Sequence, residues 1–356
     1  MILMNKYKVT TIYSILHFFV DGICALAMFG WFVSQKNSHW YFLAYNFCAF
    51  ALQMPFGAFL DMLIMNYKGK KKNVYLQFPY IVAFWGIGLT VLGAIIHPIV
   101  LGIGNALFHV GGGVGVIYED HAHHWKGKAL GIFVAPGALG LFLGTQIANL
   151  GMNSRNILIF VLCGMIAVGF MLILARANSS RAMDMTIYHS EAEGGFILAA
   201  GCFLVVILRS YVGMAVSFSW KSGFALGLVC VLAVVLGKMA GGILAAKTGI
   251  KNIILISLWI ASIGYRFSEN AILGIIALFA FNMSMPITLY LLVRKFKELP
   301  GFSFGLLTFG LFLGYLPTYF GIPSPIESNM LGAGGSVMSL LILLLAMKFG
   351  GAVDVD

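Results

Sequence analysis

The feature that most constrains this chain is a run of apolar stretches of about twenty residues, repeated from one end to the other and separated by short polar turns. At ~1.5 Å per residue, about twenty helical residues cross the ~30 Å hydrocarbon layer of a bilayer. Such stretches begin near Thr10, Ser38, Asn73, Pro98, Lys128, Arg155, Gly195, Gly223, Asn252, Ala271, Phe302 and Met330. The chain therefore reads as an all-α polytopic membrane protein with about twelve transmembrane helices. Composition excludes a soluble alternative. Apolar residues make up 60% of the 356 and charged residues 10%, with a mean hydropathy of +0.95, whereas soluble domains run near ~45–50% and ~25%.

An even number of spans puts both termini on one side, and the basic residues choose which. Short cytoplasmic loops carry an excess of Lys and Arg. With a cytoplasmic N-terminus, the inside holds Lys6, Lys8, Lys68, Lys70, Lys71, Lys72, Lys126, Lys128, Arg176, Arg181, Lys247, Lys251, Arg294, Lys295, Lys297 and Lys348. The outside holds only Lys36, Arg155, Lys221 and Arg266, while Arg209 and Lys238 fall inside spans. Multi-pass insertion in the cell membrane with both termini cytoplasmic is the expectation. The net charge of +10 is mostly this topology signal, and its spread over short loops points to no nucleic-acid partner. Cys24, Cys48, Cys163, Cys202 and Cys230 lie within spans without CxxC spacing, which argues against a disulfide framework or a zinc site. The first apolar stretch is long and lacks a small-residue cleavage site, so it is expected to stay as the first span.

The longest polar segment between spans, RANSSRAMDMTIYHSEAEG from Arg176 to Gly194, splits the chain into six spans and six. This predicts an N-terminal six-helix bundle over 1–175, a cytoplasmic linker over 176–194 and a C-terminal bundle over 195–356. Internal similarity agrees with duplication. GAFLD (Gly57 to Asp61) follows the second span and GILAAKTGIK (Gly242 to Lys251) the eighth, and GLFLG occurs both at 140–144 and at 310–314.

GILAAKTGIK resembles the signature that major facilitator superfamily transporters carry between spans two and three, with Ala246 in the acidic place. GAFLD keeps the acid as Asp61 but departs from the usual spacing to its basic run. The resemblance implies two six-helix pseudo-repeats, small-molecule transport, a monomer, and a gating-loop role for Gly57, Asp61, Gly242, Lys247 and Gly249. GIFVAPGALGLFLG (Gly131 to Gly144) resembles the fifth-span motif of that superfamily's antiporters. HFFVDG (17–22), GIGNALFHVGG (102–112), LRSYVG (208–213) and ELPGFSFGLLTFGLFLG (298–314) are similar to the fosmidomycin-resistance branch of drug exporters, although His109 is followed by Val and Gly where that branch has Pro and an acid. The narrower likeness implies proton-driven efflux.

Charge inside a membrane costs at least ~2.5–3.5 kcal/mol at the centre, so each intramembrane ionisable group is a candidate site. His17 and Asp21 lie four apart on one face of the first span, and Asn105 and His109 repeat the spacing in the fourth. Arg209 lies deep in the seventh and Asn282 mid-way along the tenth. These are the four spans that, by the superfamily resemblance, line a central cavity. A carboxylate beside histidines can load and release a proton near neutral pH, which makes Asp21 the candidate proton carrier with His17 and His109 as relay. Arg209 does not deprotonate and is the candidate counter-charge or anion ligand, with Asn105 and Asn282 as further substrate contacts. The competing reading is that these groups tie helices together through interhelical hydrogen bonds. Lys238 fits a structural or snorkelling role equally well.

EDHAHHWKGK (Glu119 to Lys128) carries carboxylates and imidazoles of a kind that bind zinc or nickel. Placed in a cytoplasmic loop, with spacing that closes no site on one turn, it is expected to be a solvated cap, and neither metal nor cofactor is expected. HFFVD could also be taken as a His/Asp catalytic pair, but the polar groups are scattered at mid-depth on four helices, which suits a transporter and not an enzyme. The sequence thus points to a secondary transporter with protons, a small molecule and the lipid bilayer as partners. Efflux of a drug or metabolite is the first reading, and uptake of a small anionic solute the alternative.

Overall fold

The computed structural model describes residues 8–67, 77–150 and 194–351, and every regular element in them is helical. In hydrocarbon each backbone N–H and C=O must find its partner within the protein, and a helix achieves this inside one segment. The helices are α1 (Lys8–Gly30), α2 (Ser38–Asn46), α3 (Gln53–Tyr67), α4 (Phe78–Ile96), α5 (Pro98–Ala122), α6 (Lys128–Val134) and α7 (Pro136–Asn149). After them come α8 (Gly195–Ala215), α9 (Gly223–Thr248), α10 (Ile250–Arg266), α11 (Ala271–Asn282), α12 (Ser284–Lys295), α13 (Pro300–Tyr319) and α14 (Ser328–Phe349). Ten segments among the described residues are long and apolar enough to cross a membrane. Helix α10, the expected ninth span, is helical over 17 residues. Every expected span except the sixth is thereby accounted for. The sixth, with Arg155, Cys163 and the linker up to residue 193, lies outside the described residues, as do Asn73 and the basic run at 70–72.

Three spans are interrupted. A π-turn at Phe47–Ala51 joins α2 to α3, a break at Ala135 separates α6 from α7 ahead of Pro136, and a break at Met283 separates α11 from α12 ahead of Pro286. Proline has no N–H and leaves the carbonyl four residues earlier unpaired. At the second break, Met283 N–H bonds the Ala280 carbonyl and the Ser284 hydroxyl donates to the Phe281 carbonyl.

The chain forms two compact units. One comprises Met1–His124, Ile132–Ile187 and Glu298–Gly305. In it α4 and α5 turn back on each other at His97, whose extended backbone and side chain cap α5 by accepting from Ile99 N–H. Their contact is made by glycines seven apart, Gly86 and Gly93 on one helix and Gly104 and Gly111 on the other, each facing the partner's backbone. Small residues let membrane helices approach closely where no hydrophobic force drives them together. Helix α3 packs Leu60 and Ile64 against Val110, Val114 and Tyr118 of α5. The other unit comprises Trp125–Gly131, Tyr188–Lys297 and Leu306–Asp356. There α14 lies against α8 and α10 through Gly335 on Val212 and Gly332 on Tyr265, and α9 meets the α11–α12 segment through Gly237 and Gly241.

Candidate functional site

Helices α1 and α5 bring buried His17, Asn105 and His109 together with half-buried Asp21 in one cluster, although 84 positions separate Asp21 from Asn105. The spacing of four on each helix aligns the pairs. His17 Nε2 lies 3.2 Å from Asp21 Oδ2, and His109 Nε2 lies 3.5 Å from Asp21 Oδ1. Asn105 donates its amide to Asp21 Oδ1 at 3.1 Å, and the same nitrogen lies 3.5 Å from Cys24 Sγ. The two imidazoles stand edge to face, with ring centroids 4.5 Å apart.

Hydrogen-bond bookkeeping determines what this cluster can hold. His17 Nδ1 lies 2.7 Å from the Phe133 carbonyl and His109 Nδ1 lies 2.9 Å from the Asn105 carbonyl. A carbonyl only accepts, so both Nδ1 atoms carry hydrogen and donate. In the neutral tautomers both Nε2 atoms are then bare lone pairs, yet they face each other at 2.8 Å. That contact is attractive only with one further proton between them, and the Asp21 carboxylate beside both rings is the counter-charge for it. The geometry leaves a place for one proton between the two rings. Among the described residues, the same three side chains are also the group of His, Cys, Asp and Glu compact enough to surround a metal ion, with ligand atoms within 4.8 Å of one another.

The fifth span supplies the other half of the arrangement. Pro136 cannot bond the Ile132 carbonyl, and the helix is broken at Ala135. Side chains of α1 meet the two carbonyls at this break. The Ser14 hydroxyl lies 3.2 Å from Ile132 O while also donating at 2.7 Å to Thr10 O, and His17 takes Phe133 O. The next residue after the proline, Gly137, is pressed so closely on the cluster that a Cβ there would collide with His17 Nε2 and Asp21 Oδ2. Gly140 and Gly144 continue the seam against the backbone of Phe18 and Gly22. Sequence reasoning noted this glycine- and proline-rich motif but not Phe133, Ser14 or Gly137 as members of the site. The available signal was Pro136 four positions after Ile132.

The gating-loop candidates divide by half. Asp61 is buried and accepts from the backbone N–H of Gly301 at 2.9 Å and of Phe302 at 2.7 Å, capping the first turn of α13. Two orphan N–H groups and the positive end of a helix dipole explain how a carboxylate is tolerated there. Gly57, one turn earlier, meets the Gly301 carbonyl with no room for a side chain. In the second half Gly242 packs on Gly127 and Gly131, Lys247 is exposed in the last turn of α9, and Gly249 at φ 93° ends that helix.

Asn282 and Arg209 belong to the other unit. Asn282 donates its amide to the Leu278 carbonyl of its own helix at 2.8 Å. Arg209 is buried on α8, and its Nη1 has no hydrogen-bond partner. The histidine-rich segment is the solvated cap expected only in part: His121, His123 and His124 are exposed, but its two acids are not. Helix α5 runs on to Ala122, so Glu119 and Asp120 are helical and buried, and the loop proper starts at His123. Alanine and glutamate favour continuing the helix there. His123 bonds the Glu119 carbonyl at 3.0 Å and lies 3.6 Å from its carboxylate.

No protein-family model matches the sequence, and no curated protein sequence is similar to it. Solved structures are similar in fold. The E. coli fucose:proton symporter FucP, as a single-substitution variant, aligns with a TM-score of 0.60 at 9% identity, covering 96% of this chain and 98% of its own. FucP in the outward conformation, described as a major facilitator superfamily transporter, aligns at 0.56 and 11% identity over 96% and 99% of the two chains. The fold is that of a major facilitator. A bacterial homologue of the iron transporter ferroportin in an outward-facing state, at 0.51 and 13% identity over 96% and 98%, shares it. The cluster of His17, Asp21, Asn105 and His109 lies on the first and fourth described spans and Arg209 on α8, all of them buried or half-buried helix positions.

Proposed function

We propose that this chain is a proton-coupled secondary transporter that moves a small molecule by alternating access, with His17, Asp21 and His109 holding the coupling proton. The observation that carries this reading is the pair of Nε2 atoms at 2.8 Å, each with its Nδ1 committed to a carbonyl, beside one carboxylate. The imidazole pair takes the proton and Asp21 balances it, so loading changes the cluster from an uncompensated buried carboxylate to a neutral set. A proton drives a conformational cycle only by binding the two states with different affinity. The Pro136 break supplies a means for this, because the carbonyl that orients His17 belongs to a segment whose helix is already interrupted. One fold neighbour is a fucose:proton symporter, which agrees with proton coupling.

Efflux is the direction favoured by the sequence likenesses, the antiporter-like motif around Pro136 and the resemblance to the fosmidomycin-resistance branch. Uptake of an anionic solute is the second reading, motivated by Arg209. Energised membrane vesicles of both orientations separate them. The measurement is gradient-dependent accumulation of small metabolites, phosphonates and antimicrobials, with and without protonophore. Export predicts accumulation in everted vesicles and import in right-side-out ones. Asp21→Asn is expected to abolish gradient-driven accumulation while the protein remains folded in the membrane, and normal transport by that variant sinks the coupling assignment. Chelator treatment is expected to leave coupling unchanged.

A further inference from the structure

Arg209 stands outside the proton cluster and poses a separate question. Its residue exposure is 7%, and Nη1 is both inaccessible and without a hydrogen-bond partner. No carboxylate lies within its ion-pair reach among the described residues, and the other buried positions on α8, Leu198, Cys202, Val205, Val206 and Val212, carry no oxygen acceptor in their side chains. Among the described residues of its half, no helix supplies compensation either. None of the helices α8 to α14 contains a single Asp or Glu, and Glu269, Glu298 and Glu327 all fall between helices. Of the described acids in the first half, Asp21 is engaged by His17, His109 and Asn105, Asp61 by two backbone N–H groups, Glu119 lies against His123, and Asp120 has a partner of its own.

A guanidinium does not shed its proton, so burial cannot neutralise it as it would a lysine. Snorkelling is excluded by the burial itself. An uncompensated cation held in a membrane helix marks a ligand path. We infer that Arg209 is the anchor for a compact oxyanion, a carboxylate, phosphate or phosphonate, carried by the transported solute. This deepens the transporter reading and rests on it. The planar fork of five N–H donors matches such a group through two parallel hydrogen bonds, which an ammonium cannot reproduce. A lipid phosphate offers the same chemistry, but Arg209 lies six residues, ~9 Å of helix, inside the end of α8 at Ala215, deeper than a headgroup anchored at the interface.

The test uses the purified full-length protein and needs no gradient, so it reads anion binding whether or not the histidine cluster carries protons. Thermal stability is measured with inorganic phosphate, methylphosphonate and a series of small mono- and dicarboxylates, each paired with its neutral ester or amide, and separately with phosphatidylglycerol micelles. At least one soluble oxyanion is expected to raise Tm saturably by about 5 °C, while its neutral partner does nothing. The shift is expected to vanish in Arg209→Met and to shrink at least tenfold in apparent affinity in Arg209→Lys. Without any ligand, Arg209→Met is expected to be more stable than the parent by about 3 °C, because an unpaired buried charge has been removed. A fall in Tm would mean that the guanidinium already has a structural partner and would overturn the inference. So would a shift that survives in Arg209→Met, stabilisation by phosphatidylglycerol alone, or no response to any soluble oxyanion.

Discussion

At the residue scale, one carboxylate does different work in each of its two settings. Asp21 lies beside two imidazoles and an amide, and Asp61 sits at a helix N-terminus with two backbone donors. Replacing Asp61 by Ala leaves the Gly301 and Phe302 N–H groups without that acceptor and is expected to cost about 1–2 kcal/mol, seen as a lower Tm. Asp61→Asn keeps an acceptor and loses only the charge, so it is expected to fall between the two. Equal destabilisation by both would show that charge and not hydrogen bonding dominates. Asn105→Ala removes the donor to Asp21 Oδ1 in a buried place and is expected to destabilise by ~1–3 kcal/mol in the same assay. The motif GAFLD pointed to Asp61 from the sequence, and the four-residue spacings pointed to His17, Asp21, Asn105 and His109. The partner of Asp61 was not legible, because Gly301 lies 240 positions away and a backbone N–H has no sequence signature.

At the element scale, the seam between α1 and α7 decides the site. Gly137, Gly140 and Gly144 let α7 lie on α1 backbone to backbone, and the Pro136 break turns two carbonyls toward Ser14 and His17. Gly137→Ala is therefore expected to destabilise by ~1–3 kcal/mol and to lower proton-driven transport, since the added methyl group must displace His17 or Asp21. Gly88 is the control. It lies in α4 with open space around it, so Gly88→Ala is expected to stabilise by ~0.5–1 kcal/mol, the ordinary gain of alanine over glycine in a helix. If both substitutions behaved alike in a thermal melt, the close packing at Gly137 would not be what matters. The glycines and the proline of this motif are plain in the sequence. Which helix they face is not, because apolar stretches flanking α7 offer similar surfaces and only packing selects α1.

For the whole molecule, the membrane imposes the architecture. Span lengths, the sixteen-to-four bias of basic residues worked out above and the even span number lead to the expectation that both termini are cytoplasmic. A reporter active only in the cytoplasm, fused in turn to the C-terminus and to the loop at Lys221, is expected to be active in the first fusion and silent in the second. The reverse pattern would invert the topology. The sequence by itself determined the helical class, the start of nearly every span and the intramembrane places of His17, Asp21, His109 and Arg209, because hydropathy and charge act residue by residue against a solvent of uniform thickness. Only the tertiary structure decided that His17 and His109 meet through their Nε2 atoms, that the Phe133 carbonyl orients one of them, that Glu119 and Asp120 lie inside a helix, and that Arg209 meets no acid among the described residues. Those outcomes depend on which helix faces rest against each other and on where a broken helix leaves its carbonyls. Contacts of that kind are set by shape and hydrogen bonding between segments far apart in the chain, which no local pattern records.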